Sequence, residues 1–268
     1  MCCTAENPTP KNPKKDDGKT PAKKPVEPCP DDKKCWIDDY DKKIAVNSHG
    51  RYHENYKGDG TSHNYNFQKS FKILAPVKTG DKITVEIRFK EELQAGVSAE
   101  AAAQCRTKLE NGVNTHWNGK FTLEADDPEC GKKTFSIFYK IVWVTSGQDY
   151  TIKIHDTYAR EGLTGKVMDV SKDTEDWTYA HEFAHCIGLP DEYSYTADTE
   201  TVKYYKPDGT LDGPVSAPPF KPNNAADATI MSSHSNTTTL KRHAWFVAIE
   251  TQELLTAKLG RKIKCDIK

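Results

Sequence analysis

Two histidines four residues apart constrain this chain more than any other feature of its sequence. His181 and His185 belong to the segment HEFAHCIGLPDEY, in which Glu182 directly follows the first histidine. On an α-helix this spacing places both imidazoles on one face, one turn apart, so that they can reach the same metal ion. The carboxylate of Glu182 then projects beside them, toward a water molecule on that ion. The segment therefore predicts a helix that carries a metal site.

The residues around this pair also favour a helix. Asp173 or Thr174 can cap its start, and the carboxylates of Glu175 and Asp176 suit its first turn. Gly188 stands where a residue in the left-handed conformation would end the helix. An apolar flank recurs at helical spacing and consists of Trp177, Ala180, Phe183, Ala184 and Ile187.

Two interpretations fit a pair of helical histidines. In the first, the imidazoles are hydrogen-bonded groups of a core helix and bind nothing. That arrangement is costly, because two imidazoles and a carboxylate beside apolar residues need something to pair with them. In the second, they bind zinc together with one further ligand, and a water molecule at the open position loses its proton near neutral pH. The clustering of these polar groups favours the second interpretation.

The pattern continues beyond the second histidine. Gly188 follows it by three residues and Asp191 by six, and Met231 lies downstream in the segment ATIMSSHS. Over about residues 80–260, the chain resembles the metzincin zinc peptidases, whose signature is His-Glu-x-x-His-x-x-Gly-x-x-His followed by a Met-turn. The resemblance implies Zn²⁺ as the cofactor, His181 and His185 as metal ligands, and Glu182 as the catalytic base.

The third metal ligand is where the chain departs from that signature. Asp191 occupies the position of the third histidine, and a carboxylate is an acceptable zinc ligand. Glu192 is the alternative, because a shift of one residue in the turn would exchange the two carboxylates. His243 is a more distant candidate. The resemblance also implies that Met231 forms an apolar floor beneath the metal.

Further polar side chains follow the motif closely enough to reach the site. The hydroxyls of Tyr193 and Tyr195 are placed to donate a hydrogen bond to a developing oxyanion. His234 could also approach the metal, although an isolated histidine is more often a surface or core residue.

Upstream of the motif, the sequence alternates between strands and one helix. The segment DKITVEIRF has a period of two, as in a half-buried strand, with Ile83, Val85, Ile87 and Phe89 on one face. After Ser98, a plausible cap, a stripe helix is predicted from Val97, Ala101, Cys105, Leu109, Val113 and Trp117. Strands are then predicted at about 120–125, 134–144 and 150–155.

These elements predict an α+β fold with a mixed, twisted sheet, a stripe helix and an active-site helix. The order resembles the upper metzincin subdomain and implies that Tyr150 to His155 is an edge strand able to bind an extended peptide. Residues 190–229 are predicted to be long loops. A last helix is predicted from Leu240 to Leu259, with Gly260 as its stop, so that with the Met-turn it resembles a smaller C-terminal subdomain.

Composition fits one catalytic domain with an N-terminal extension. Among 268 residues, 36% are hydrophobic, and the net charge of -1 gives no pull toward nucleic acid or anionic membranes. No run of apolar residues is long enough to span a membrane. Seven prolines and many lysines in the first thirty residues predict a disordered linker over residues 1–35. Residues 36–268 form the predicted peptidase domain.

Eight cysteines without a Cys-x-x-Cys pair favour disulfides in an exported hydrolase. The pairings considered are Cys186 with Cys265, Cys105 with Cys130, and Cys29 with Cys35, with free buried thiols as the alternative.

The sequence thus predicts a zinc endopeptidase acting on a protein or peptide substrate. The alternatives are a zinc amidase acting on a cell-wall amide, and a peptide-binding module in which zinc is only structural. A secreted or periplasmic location is expected, either as a lipoprotein anchored at Cys2 or Cys3, or as a toxin domain. The second layout is similar to the peptidase domains carried on type VI secretion spike and tip proteins. It implies a secretion-apparatus protein or a cognate inhibitor as further partners.

Overall fold

The computed structural model describes residues 35–36, 40–47, 52–63 and 68–268. Apart from Cys35, the predicted linker over residues 1–35 lies outside these ranges. The described part is α+β and contains a mixed sheet. Its strands are β1 (Tyr40–Asn47), β2 (His53–Tyr56), β3 (Ser62–His63), β4 (Gln68–Ala75), β5 (Lys82–Leu93), β6 (Thr122–Asp127), β7 (Gly131–Trp143), β8 (Tyr150–His155), β9 (Gly162–Thr164), β10 (Val167–Ser171), β11 (Glu200–Tyr204), β12 (Val215–Ala217) and β13 (Lys264–Ile267). Its helices are α1 (Ala99–His116), α2 (Asp176–Cys186) and α3 (Trp245–Leu259).

The main sheet is built around β5. In the described residues its strand order is β13-β6-β7-β5-β8-β10-β9, and β4 joins β5 on a branch that continues to β1. β5 runs parallel to β7 and β8, whereas β4 is antiparallel to it. The predicted alternation in β5 is confirmed, since Ile83, Val85, Ile87 and Phe89 are all fully buried. This strand therefore forms the centre of the core.

The predicted stripe helix is α1. The hydroxyl of Ser98 accepts a hydrogen bond from the backbone amide of Ala101 at 3.2 Å, which satisfies one of the free donors of the first turn. The buried residues of the predicted stripe are Cys105, Leu109, Val113 and Trp117. Trp117 extends past the helix, and its indole Nε1 donates to the carbonyl of Ala180 in α2 at 2.9 Å. The stripe thus packs α1 against the helix that carries the histidines.

The backbones of α1 and α2 approach each other closely at Gly112. A Cβ at this position would lie 2.3 Å from the carbonyl oxygen of Asp176 and 3.3 Å from the amide nitrogen of Ala180. We expect Gly112→Ala to lower the free energy of unfolding by about 1 to 3 kcal/mol, because overpacking outweighs the better helix propensity of alanine. Chemical denaturation measures this. Asn111→Ala, an exposed neighbour on the same helix, is the control and should leave stability within about 0.5 kcal/mol.

The prediction that Tyr150 to His155 is an edge strand is wrong. β8 lies inside the sheet, between β5 and β10, and is parallel to both. The edge on this side is β9, which pairs antiparallel with β10. β9 spans only three residues, too few for the alternation of buried and exposed residues to show in the sequence. Neither β9 nor β10 was predicted.

Residues 190–229 contain more structure than predicted. β11 and β12 fall within them and form a second, four-stranded sheet in the order β12-β11-β2-β3. The C-terminal helix prediction is largely confirmed: a 3₁₀ turn at Lys241–Ala244 leads into α3, and Gly260 ends α3 with a left-handed φ of 68°. The chain then adds β13, which pairs with β6.

The cysteine pairings differ from those considered. Cys35 and Cys130 form a disulfide that joins positions 95 residues apart, whereas Cys105, Cys186 and Cys265 are free and buried. Cys186 ends α2, and Cys265 lies in a terminal strand of the main sheet, so no bond between them ties the C-terminus to the active helix. Cys29 lies outside the described residues. Within the described ranges, none of the helices has the length and hydropathy needed to cross a membrane.

Candidate metal site

Helix α2 carries the histidine pair and ends as predicted. Gly188 follows the C-cap with a φ of 90°, a conformation that side chains with a Cβ rarely adopt. A Cβ there would also lie 2.6 Å from Cδ of the buried Lys69. The start of the helix differs from the prediction, because its N-cap is Glu175 without a side-chain cap. Thr174 instead accepts from the backbone amide of Ser171 at 2.9 Å.

Backbone carbonyls orient both imidazoles. Nδ1 of His181 donates to the carbonyl of Ile230 at 2.9 Å, and Nδ1 of His185 donates to the carbonyl of Leu189 at 2.8 Å. These bonds fix the orientation of each ring and turn Nε2 toward Asp191. Each Nε2 faces one oxygen of Asp191, with Oδ1 at 3.1 Å from His181 and 3.5 Å from His185.

The spacing of these atoms suits one small metal ion. A tetrahedral zinc ion with bonds of 2.0 to 2.1 Å holds its ligand atoms about 3.3 Å apart. His181, Glu182 and His185 also form a buried group whose ligand atoms all lie within 4.8 Å of one another and could hold a metal ion. Since Asp191 Oδ1 lies 3.1 Å and 3.5 Å from the two imidazoles, we favour Asp191 over Glu182 as the third ligand.

Two carboxylate oxygens at the site support this fit. Oε2 of Glu182 and Oδ1 of Asp191 are both buried; Oε2 has no hydrogen-bond partner in the described part of the chain, and Oδ1 faces only the two imidazole Nε2 atoms. A buried acceptor without a donor is costly, and a cation between these groups would remove that cost. The residues present therefore fit a divalent metal ion.

The charge distribution points the same way. Burial disfavours a charged imidazole at His185, but the carboxylates of Asp191 and Glu182 outweigh it and raise the pKa of His185 to about 9. Burial likewise opposes a charged carboxylate at Asp191, yet the two imidazoles hold its pKa far below the usual range. The site thus stabilises positive charge between its carboxylates.

Tyr195 contacts the other oxygen of Asp191. Its hydroxyl donates to Asp191 Oδ2, and the hydroxyl of Tyr193 lies 3.3 Å from that of Tyr195. Holding Oδ2 in this way turns Oδ1 toward the imidazoles. Burial raises the pKa of Tyr193 to about 12, so its hydroxyl keeps its proton at neutral pH. The sequence predicts that both tyrosines lie near the site, but it does not predict the hydrogen bond from Tyr195 to Asp191.

Glu192, the alternative third ligand, is held by groups other than His181 and His185. It is fully buried, and Arg242 binds it with two hydrogen bonds, from Nε at 2.6 Å and from Nη2 at 2.8 Å. His243 Nε2 lies 3.2 Å from the same carboxylate, and the hydroxyls of Tyr204 and Thr229 donate to it at 3.0 Å and 2.7 Å. The structure therefore places both Glu192 and His243 in a separate ion-pair network.

The segment around Met231 lies next to the site. Met231 is buried, and its carbonyl accepts from the amide of Glu192 at 2.8 Å. The preceding carbonyl, of Ile230, is the one that orients His181. His234 lies farther along, with its ring 4.8 Å from that of Trp177. The carbonyls of Ile230 and Leu189 were not predicted, because backbone atoms leave no residue-type signal in a sequence.

Two cavities flank the site. One, of about 420 Å³, is lined by His185, Asp191 and Glu182 on one side and by the whole of β9 on the other. The second, of about 460 Å³, is lined by His181, Glu182 and Trp177. Arg160, Glu161, Glu182 and Tyr193 line both. The histidine pair therefore lies at the middle of a cleft.

No model of a known protein family matches this chain, and no curated protein matches it significantly. Its chemistry must therefore be inferred from the arrangement of its own residues.

Proposed function

We propose that this protein is a zinc-dependent endopeptidase of the metzincin type. The observation that carries the proposal is the convergence of His181 Nε2, His185 Nε2 and Asp191 Oδ1 in a cleft that also holds the unpartnered Oε2 of Glu182. Two imidazoles and one carboxylate are a donor set of catalytic zinc sites. When bound, zinc would polarise the scissile carbonyl and lower the pKa of a water molecule beside it.

Glu182 acts as the general base in this proposal. Its free Oε2 accepts a proton from the attacking water, whose oxygen bonds to the carbonyl carbon of the substrate. As the bond from carbon to nitrogen breaks, Glu182 passes that proton to the leaving amine. Tyr193 lines both cavities, so its hydroxyl can donate to the oxygen that gains negative charge.

The edge strand β9 supports an extended peptide as the substrate. β9 pairs only with β10 among the described strands and lines the cleft beside His185. An open strand edge binds a peptide by adding it to the sheet, which fixes the main chain across the site. The role that the sequence assigned to β8 is therefore proposed here for β9.

We also propose that the protein acts in a secreted or periplasmic setting. The disulfide between Cys35 and Cys130 supports this, because such bonds persist in oxidising compartments.

The test is metal-dependent cleavage by the full chain. We expect the protein to hold about one zinc ion per chain, to cleave unfolded casein, and to lose this activity on chelation and regain it with zinc. Metal analysis and gel-based digestion measure both. Full activity after complete removal of the metal would contradict the proposal. Cleavage of peptidoglycan cross-links without cleavage of any protein would favour an amidase instead.

A further inference from the structure

The two oxygens of the Asp191 carboxylate have different partners. Oδ1 lies 3.1 Å from Nε2 of His181 and 3.5 Å from Nε2 of His185, whereas Oδ2 accepts a hydrogen bond from the hydroxyl of Tyr195. A carboxylate can bind a metal ion through one of its oxygens or through both. The hydrogen bond from Tyr195 competes with any bond that Oδ2 could make to the metal. The contacts of Asp191 therefore favour binding through Oδ1 alone.

The position of Tyr195 is not explained by burial of its ring. Its side chain is 52% exposed, whereas Asp191 is buried. An exposed tyrosine can direct its hydroxyl to water, but this hydroxyl donates to a carboxylate inside the protein. The hydrogen bond satisfies an acceptor on a buried residue, which would otherwise be costly. The contact therefore has its main consequence at the metal site.

The segment that leads from the carboxylate to Tyr195 is held by backbone hydrogen bonds. The amide of Glu192 donates to the carbonyl of Met231 at 2.8 Å. The amide of Ser194 donates to the carbonyl of Pro218 at 2.9 Å. Because the chain is fixed on both sides of residue 193, the hydroxyl of Tyr195 reaches Oδ2 at little further cost in conformational entropy.

The ring of Tyr195 is also held from the opposite side of the cleft. The guanidinium of Arg160 lies 5.2 Å from its centre, within the range of a cation–π contact. Glu161, the next residue, accepts hydrogen bonds from the hydroxyls of Ser171 at 3.1 Å and Thr174 at 2.9 Å, just before α2 begins. The segment that covers the Tyr195 ring is thus tied to the start of the helix that carries the histidines.

We propose that Tyr195 is a positioning residue that keeps Asp191 bound to the metal through one oxygen and so preserves the open coordination position for water. This deepens the proposed function and rests on it, because the reacting water binds at that position. A carboxylate that bound through both oxygens would add a ligand to a small ion that prefers four. The water would then be bound more weakly. In this role Tyr195 acts through Asp191 and does not contact the substrate.

The test replaces zinc with Co²⁺, because the visible absorption of Co²⁺ reports its coordination number independently of turnover. Four-coordinate Co²⁺ absorbs more strongly than five-coordinate Co²⁺, and we expect a four-coordinate spectrum from the unmodified protein. Tyr195→Phe removes only the hydroxyl. It should lower the peak absorption per bound Co²⁺ by about twofold or more, because Oδ2 becomes a fifth ligand. Equilibrium dialysis measures the amount of metal bound.

Tyr158→Phe is the matched control. Tyr158 is another exposed tyrosine that lines the same cavity, and its ring stacks on His155 with centroids 4.2 Å apart. The substitution removes the same group without touching Asp191, so both the Co²⁺ spectrum and peptide cleavage should stay unchanged. In the zinc-loaded Tyr195→Phe protein, kcat should fall by about 10- to 100-fold with little change in KM.

The spectrum and the kinetics separate this inference from the proposed function. The expected spectral change without cleavage of any peptide would disprove the peptidase and leave the role of Tyr195 standing. Peptide cleavage with identical Co²⁺ spectra for Tyr195→Phe and the unmodified protein would disprove the positioning role and leave the peptidase standing. A raised KM with an identical spectrum would instead assign Tyr195 to substrate binding. A five-coordinate spectrum in the unmodified protein, or no binding of Co²⁺, would also overturn the inference.

Discussion

Replacing Glu182 with Gln is expected to reduce kcat/KM for peptide cleavage by about 10³-fold or more, while zinc remains bound at about one ion per chain. The amide has nearly the shape of the carboxylate but cannot accept a proton from water. Oε2 of Glu182 is buried and has no hydrogen-bond partner among the described residues, so the substitution breaks no hydrogen bond of that atom. Metal analysis and initial rates on the same preparation measure the two effects separately.

His181→Ala is the control for this experiment. It removes a metal ligand, so both zinc and activity should be lost. If Glu182→Gln keeps zinc and loses turnover, whereas His181→Ala loses both, the base and the ligand are distinguished. A fully active Glu182→Gln protein would disprove the proposed role of Glu182.

The sequence predicted those parts of the site that depend on local spacing. His181 and His185 lie on one helix, and Gly188 follows its end in the left-handed conformation. The histidine pair could be predicted because residues three and four positions apart lie on the same face of a helix. The alternating pattern of β5 was equally informative. In each case, the deciding interactions lie within a few residues of one another along the chain.

The features that the sequence did not predict depend on pairing between residues that lie far apart along the chain. Whether β8 lies at an edge depends on whether β9 and β10 extend the sheet beyond it. These two strands are too short to show an alternating hydrophobic pattern in the sequence. The partner of Cys130 is Cys35, 95 residues away, and spacing alone does not distinguish it from the other cysteines. The adjacent carboxylates of Asp191 and Glu192 have different partners. Arg242, 50 residues farther along the chain, binds Glu192, whereas Asp191 faces the imidazoles.

The second large effect expected concerns these two carboxylates. Asp191→Ala should weaken zinc binding by at least 100-fold, because one of three protein ligands is lost. Glu192→Gln should instead leave zinc binding nearly unchanged and lower the stability of the metal-free protein. It leaves the largely buried guanidinium of Arg242 without its bidentate partner, so we expect the free energy of unfolding to fall by about 3 kcal/mol.

Zinc titration against a competing chelator, together with denaturation of the metal-free proteins, measures both quantities. If Glu192→Gln is too unstable to purify, Thr229→Val provides a milder probe. It removes the hydrogen bond of 2.7 Å to Glu192 and the one of 3.2 Å that Oγ1 accepts from the amide of Met231, and it should cost about 1 to 2 kcal/mol of stability without weakening zinc binding. Stronger loss of zinc from Glu192→Gln or Thr229→Val than from Asp191→Ala would move the ligand to Glu192. That result would require the turn after Gly188 to rearrange when the metal binds, because Arg242 and His243 now hold Glu192 away from the imidazoles.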